Sequence, residues 1–400
     1  MNEASFFENL LGLEGLKVRS VLKEGHRIIV KCELIRGEVK CPTCNQKLRS
    51  FKQYKNRLVR DLDISGKEVW LDIRLRQYKC EACNKHFMEK VDWLLPYKSY
   101  TKRQSKWIFE MCGKQPFSEV GSLLNMNSKT VERIYYEVGE SRVQLANRYA
   151  QVRQLGIDEI AHRKGKQDYV CVLVDLERNI ELDILPNRKK ATLLAHFKGL
   201  GEDFCKKIEV VSCDIWKTYI HVAEECFPNA EVVLDRFHIV KALNKVLDEC
   251  RKGLRKTDKE EEAFKKLKWK LFKRPDKCND EQIQDIQKAL NLSSELTRLY
   301  DLRNEFNRMF DKASSKQTLL EELNDWIVKA LKVNNEEMNT FIKTVQKWKK
   351  QIVSFAKYRI TNAATEGLNN YIRYFKRISF GLPNFEHMRL RILIASTNTP

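Results

Sequence analysis

Three acidic residues of this 400-residue chain have neighbours suited to metal-dependent chemistry. Asp158 lies in QLGIDEIA, Asp214 in VVSCDIWKTY and Glu366 in TNAATEGLNNYIR. The first two fall at or near the ends of apolar, strand-like runs. The third opens a helix-like segment after a long basic stretch. Three carboxylates brought together by folding can hold two Mg²⁺ or Mn²⁺ ions, hard cations that prefer oxygen ligands. Such a pair activates a water or a 3′-hydroxyl and stabilises the leaving oxygen of an in-line phosphoryl displacement. A lone aspartate in a basic protein is more often an ion-pair partner, so the case rests on shared context. Among competing acids, Glu159 alternates to the opposite strand face from Asp158. Asp175 and Asp183 have turn-like surroundings. Asp214 is followed by Trp216, Lys217 and Tyr219, an aromatic and basic helix start suited to a nucleic-acid backbone. Glu366 is followed by Asn369, Asn370 and Arg373 on the next turns.

A second set of residues could hold a different metal. CPTC spaces Cys41 and Cys44, and CEAC spaces Cys80 and Cys83, each by two residues. Two such turns complete a tetrahedral four-thiolate Zn²⁺ site. Asn45 and Asn84 follow the pairs where a left-handed turn is often needed. A β-hairpin or meander fills the gap between the knuckles. A redox dithiol is the rival reading, and two pairs in a cytosolic setting favour structural zinc. His86 could substitute as a ligand, but is expected to be a bystander. The other cysteines of the 12 show no pairing pattern.

The elements that must position these groups fall into five stretches. Residues 1–95 read as a β-rich zinc-binding module, with HRIIVKCEL and EVWLDIRLRQYKC as alternating strands. Within them, 1–24 mix a short apolar stretch with charge. Residues 96–145 are helical. FSEVGSLLNMNSKTVERIYYEV reads as helix, turn and helix, with Val120, Leu123, Leu124, Val131, Ile134 and Tyr135 facing the core. Asn125 and Asn127 supply the turn and Ser128 the N-cap. A recognition helix offers its first side chains to the major groove, here Ser128, Lys129, Thr130 and Arg133. A plain helical hairpin in a packed bundle is the alternative. Residues 146–238 run as three strands, a helix, then alternating strand and helix. That is the order of an RNase-H-like core, whose first and fourth strands lie side by side. Residues 239–360 read as a basic helical insertion, densest in charge at FKKLKWKLFKRP. Residues 361–400 return to the core. The predicted fold is multidomain α+β.

The net charge of +20 points to a polyanion, most commonly nucleic acid. No stretch is long and apolar enough to span a bilayer. The N-terminus lacks the basic start and cleavage site of a signal peptide, which predicts a cytoplasmic protein. No tail is expected beyond RLRILIASTNTP.

A four-cysteine zinc finger, a helix-turn-helix and an acidic core, in that order, with the motifs GIDE, SCDIWKTY, LDRFH and NAATEGLNNYIR, resemble the ISL-three (ISL3) family of bacterial insertion-sequence transposases. The resemblance covers roughly residues 40–395. It implies that Asp158, Asp214 and Glu366 are the catalytic DDE residues. It also implies that the helical stretch before Glu366 is the insertion that some DDE transposases carry, and that Asp235 and His238 form an accessory signature. The expected activity is metal-dependent cleavage and strand transfer at terminal inverted repeats. The expected partners are double-stranded DNA, both element ends and target, and further copies of the chain in a homodimer or larger synaptic complex. The protein would be nucleoid-associated when bound. Two other readings stand beside this one. The N-terminal half would suffice for a non-enzymatic repressor or domesticated transposase, although a repressor has no use for three metal-binding acids. The core alone would suit a nuclease without strand transfer.

Overall fold

A long hairpin organises the N-terminal part of the chain. Strands β5 (Gln53–Ile64) and β6 (Lys67–Lys79) pair antiparallel around Ser65 and Gly66, both at positive φ, as tight hairpin turns require. Strands β1 (Leu16–Glu24) and β2 (Arg27–Leu34) form a second hairpin, and β2 lies parallel to β6. The order is β1-β2-β6-β5, with β7 (His86–Met88) pairing the C-terminal end of β6, past the stretch that β2 covers. Alternate residues Val69, Leu71, Ile73 and Leu75 pack with Val30, Cys32 and the Phe7 and Leu11 side chains of α1 (Glu3–Leu11). Strand β1 gives little strand signal in the sequence because only Leu16 and Val18 of LKVRSVLKE are buried.

The computed structural model describes residues 2–35, 37–143, 145–163, 168–254, 266–360, 363–379 and 384–396, without the side chains of 145, 146 and 363–366. They divide into two compact units, 1–143 with 376–381, and 144–375 with 382–400. Among the described residues no helix is long and apolar enough to cross a membrane.

The first unit also holds α2 (Lys102–Cys112), α3 (Phe117–Leu123) and α4 (Ser128–Glu140). Val120, Leu124, Val131, Ile134 and Tyr135 are buried, but Leu123 is 62% exposed, contrary to expectation. Helix α3 is short, and Val120, Gly121 and Leu124 define its inner face. A Cβ on Gly121 would stand 2.7 Å from the Met126 carbonyl oxygen. The turn thus closes over a glycine. The N-cap is Asn127, whose Oδ1 accepts from Lys129 N at 2.9 Å; Ser128 is the first helical residue. Asn125 takes the left-handed conformation of the turn.

In the second unit, α5 (Leu145–Tyr149) leads into a five-stranded sheet. Strands β8 (Gln154–Arg163), β9 (Asp168–Asp175) and β10 (Ile180–Leu185) run antiparallel; β11 (Val210–Cys213) lies parallel to β8, and β12 (Glu231–Leu234) parallel to β11. The spatial order is β10-β9-β8-β11-β12. One face carries Leu155, Ile157, Cys171 and Leu173 against α6 (Lys190–Gly199), α7 (Glu202–Lys207) and α8 (Lys217–Cys226). The other carries Ile160, Val170, Val172 and Val174 against Ile372 of α17 (Ala363–Ile378) and Met388 and Ile392 of α18 (Phe385–Ser396).

Helix α9 (Arg236–Gly253) leaves the sheet and enters the helical region. The run FKKLKWKLFKRP begins outside the described residues. Its helical part, α10 (266–272), buries Leu267 and Leu271 and leaves Trp269 71% exposed, which is an apolar stripe under a cationic face. Helices α11 (Asp280–Leu290), α12 (Ser294–Lys312), α13 (Lys316–Leu331), α14 (Glu336–Lys347), α15 (Lys349–Val353) and α16 (Phe355–Tyr358) follow. Their core of Phe306, Phe310, Trp326 and Phe341 is continuous, through Leu243 and Ile239, with the helix-covered face of the sheet.

Two expectations follow from these contacts. Gly121→Ala forces the turn open and should cost about 1–3 kcal/mol, read as a lower melting temperature of the first unit. Burial pushes the Glu181 carboxyl up to about 7, and among the described residues its Oε1 has no hydrogen-bond partner. An acid whose folded pKa exceeds its unfolded value adds stability below about 4.5 and loses it as pH rises to about 7. Glu181→Gln should therefore be isostable near pH 4.5 and gain up to about 3 kcal/mol at pH 8, measured by denaturant unfolding across that range.

Candidate active site and metal centres

Strand register brings three aspartates to one level. Cys213 of β11 pairs with Ile157 of β8 on one side and Leu234 of β12 on the other. The next residue on each strand is Asp214, Asp158 or Asp235. All three carboxylates are buried. Asp158 Oδ1 accepts from the Glu159 backbone N–H at 2.7 Å, and its Oδ2 accepts from Asn369 Nδ2 at 2.6 Å. His238 Nε2 lies 2.9 Å from Asp214 Oδ1 and 3.7 Å from Asp235 Oδ2. Asp235 caps α9 through Oδ1, which accepts from Phe237 N at 3.0 Å, while among the described residues Oδ2 has no hydrogen-bond partner. Ligand atoms of Asp158, Asp214 and His238 all lie within 4.8 Å of one another.

The electrostatics follow from crowding. Burial, then the Asp214 charge, holds the Asp158 carboxyl above the usual range. Burial pushes Asp235 up to about 6. Burial opposes a charge on His238, but its bond to Asp214 and the surrounding acids leave it above the ordinary imidazole value. Like charges this close in a dry site favour a proton or a cation among them. The oxygen-rich donor set fits a hard divalent ion.

The remaining sequence-predicted residues divide. Position 366 lies in α17, but the Glu366 side chain is outside the described residues. Asn369, one turn on, bonds directly to Asp158, a contact that the sequence signals only through its place after Glu366. Arg373 is exposed and donates to Asn370 Oδ1 at 2.7 Å. Trp216 is 42% exposed, with the Arg188 guanidinium 4.4 Å from its ring centre. Lys217 is exposed at the start of α8. Tyr219, expected to contact DNA, is fully buried. One turn after Trp216 it falls on the inner face of α8 beside Ile220 and Ala223, and its hydroxyl donates to Glu159 Oε2 at 3.3 Å. Glu159 does face away from Asp158 and pairs with Arg188 at 2.6 Å. Asp175 stands at a turn, accepting from Glu177 N and Arg178 N. Asp183 does not. It sits within β10, buried, and binds Arg389 through both oxygens. Arg188 and Arg389 gave no sequence signal, because the pairings join segments distant in the chain.

Helix α4 exposes Ser128 and Lys129 on its first turn, with Thr130 half-buried. Arg133 is exposed but pairs with Glu137 at 2.9 Å.

The four cysteines form two matching knuckles. Cys41 and Cys44 lie between β3 (Val39–Lys40) and β4 (Lys47–Leu48); Cys80 and Cys83 lie between β6 and β7. Cys41 N donates to Gln46 O and Cys80 N to Lys85 O, both at 2.9 Å. Asn45 and Asn84 adopt the left-handed conformation expected of them. The Cys41–Cys83 and Cys44–Cys80 sulfurs are each 3.5 Å apart, and all four fall within 4.8 Å. Thiolates about 2.3 Å from one tetrahedral Zn²⁺ stand roughly 3.8 Å apart, so the set fits zinc. His86 is exposed on β7, outside the cluster.

Comparisons with known proteins agree with this layout. A family model described as a transposase matches residues 155–392. One for the zinc finger of transposases IS204, IS1001, IS1096 and IS1165 matches 37–83, and one for the helix-turn-helix domain of transposase family ISL3 matches 89–139. The chain is 25% identical over 409 residues to the transposase for insertion sequence element IS1001 of Bordetella parapertussis, spanning 99% of this chain and 98% of that protein. It is 22% identical over 418 residues to the transposase for element IS1557 of Mycobacterium tuberculosis, spanning 95% and 93%.

Metal removal tests the knuckles. A strong chelator under reducing conditions should release about one zinc per chain and abolish the unfolding transition of the first unit. Cys80→Ser should reproduce this loss, followed by zinc release and circular dichroism.

Proposed function

The chain belongs to the ISL3 family of transposases, and from that premise we propose that it cleaves and joins DNA at the ends of an insertion sequence. In this reading the zinc module and the helix-turn-helix hold terminal inverted repeats, with Ser128, Lys129, Thr130 and Arg133 near base edges and phosphates. The sheet is an RNase-H-like core. The helices from 239 to 360 are an insertion within it. Asp158, Asp214 and Glu366 are the DDE residues.

One observation carries the catalytic assignment. Asp158 and Asp214 stand at the same level on hydrogen-bonded strands, and Asn369 binds Asp158 from the helix that holds position 366 one turn earlier. Residues three apart on a helix share a face. When bound, two Mg²⁺ ions would supply the activated oxygen nucleophile and neutralise charge on the leaving oxygen. The chain's own groups do the rest. Asn369 orients Asp158 by occupying one carboxylate oxygen. His238 holds Asp214, and Asp235 stands behind His238. Trp216, backed by Arg188, and Lys217 offer an aromatic and cationic rim for the strand. Burial of the acids excludes bulk water. A repressor would gain nothing from burying three mutually repelling carboxylates, which favours the enzyme.

The protein would work in the cytoplasm on double-stranded DNA, with two ends held by a homodimer or larger assembly. Net positive charge makes end binding steeply salt-dependent. Asp158→Asn, Asp214→Asn and Glu366→Gln should each lower Mg²⁺-dependent cleavage of a terminal-repeat duplex by at least about a thousandfold. Gel-shift affinity for the same duplex should stay within about twofold. Cleavage that survives in any one variant removes that residue from the triad. Cleavage without joining to target DNA in the unaltered protein would make it a nuclease only.

A further inference from the structure

Arg303 carries a charge that its neighbours do not neutralise. It sits in the middle of α12 and is 3% exposed. Its Nε donates to Asn244 Oδ1 at 3.0 Å, Nη1 to Lys273 O at 3.2 Å and Asn304 Oδ1 at 2.9 Å, and Nη2 to Phe272 O. Every one of these acceptors is neutral. Among the described residues no carboxylate pairs with it. A buried guanidinium bonded but not charge-compensated is costly to keep, and an anion nearby offsets the cost.

There is room for one. Arg303 lines a cavity of about 380 Å³ together with Arg274, Asp276, Asn304, Asn307 and Arg308. Arg308 is exposed, and its Nε reaches Asn304 O at 3.4 Å. Among the described residues it meets no carboxylate. Arg274 pairs with Asp311, which Arg236 shares at 2.7 Å, and lies 3.7 Å from Asp276. Three guanidiniums, of Arg274, Arg303 and Arg308, thus line the cavity against one carboxylate, of Asp276. Arginine forks match phosphate oxygens in pairs, and the anion preference lies with them, since Asn304 Oδ1 and Asn307 Nδ2 already bond Arg303 at 2.9 Å each. The volume suits one nucleotide rather than a duplex.

The cavity and the acid cluster are joined by the first turn of α9. Arg236 Nη2 donates to the Asn307 carbonyl at 3.0 Å on the cavity wall, and His238, two residues later, reaches Asp214. We infer that this cavity is a second phosphate site, taking a backbone phosphodiester of a DNA strand that continues past the acid cluster. The strand's presence rests on the function proposed above; the anion preference of the cavity does not.

The test uses the full chain and the exposed residue, so that folding is spared. Arg308→Ala is compared with the unaltered protein and with Arg308→Lys. One arm measures the rise in melting temperature with inorganic phosphate and with deoxyadenosine monophosphate. The other measures affinity, across salt, for a terminal-repeat duplex ending at the cleavage position and for one carrying a single-stranded extension beyond it. The expected result is a phosphate-induced stabilisation that Arg308→Ala loses. Affinity for the extended DNA should fall about tenfold with a salt slope lower by about one, affinity for the blunt DNA should be unchanged, and Arg308→Lys should recover part of the loss. Equal effects on both DNAs, or none on either, overturn the proposal. Nucleotide binding that depends on Arg308 without any effect on DNA assigns the cavity to a free nucleotide and also overturns it. If the unaltered protein binds no terminal repeat while phosphate still stabilises it through Arg308, the transposase reading fails and the anion site stands.

Discussion

Crowded negative charge is the constraint around which the second unit is arranged. Strand pairing puts Asp158, Asp214 and Asp235 at one level, where burial and mutual repulsion raise the proton affinity of Asp158 and Asp235. Each neighbour answers that cost. Asn369 and the Glu159 amide serve Asp158, His238 serves Asp214, and the Phe237 amide of α9 serves Asp235. What they leave unbalanced is charge, and a divalent cation is the simplest counterweight.

The first turn of α9 carries much of this arrangement. It receives Asp235 as its cap, supplies His238 to the acids, and sends Arg236 into the helical region. The apolar core runs unbroken from beneath the sheet to Trp326. Glu231, at the start of β12, reinforces the junction by binding Lys316 and Ser354. The helical region is thus fastened to the strand that carries the cap of α9.

The sequence was most legible where local chemistry decides conformation. Both zinc knuckles, their left-handed asparagines and the buried faces of α4 follow from short-range rules. The proximity of Asp158 to Asp214 follows from strand order. What stayed hidden depends on partners far away in the chain. Asn369 on Asp158, Arg389 on Asp183 and Arg188 on Glu159 are contacts that no periodicity encodes. Tyr219 misled because an aromatic next to a basic helix start reads equally as rim or core, and only the helix phase decides. Strand β1 hid because most of its side chains are solvated. Asp183 has turn-like neighbours in the sequence, yet it lies within β10 beside a bulge, where Arg389 binds it.

The sheet's two faces are covered by chain made at different times. The face beneath Leu155, Ile157 and Leu173 gains α6, α7 and α8 while the strands themselves emerge during translation. The opposite face, with Ile160, Val170, Val172 and Val174, waits for Ile372, Met388 and Ile392, after the whole helical region has been synthesised. Asn369 arrives with them. A ribosome-bound chain can therefore finish its zinc knuckles and its helix-turn-helix long before Asp158 has its partner. The zinc knuckles and the helix-turn-helix are thus complete in the early part of the chain, whereas the acid cluster is finished only by its last helices.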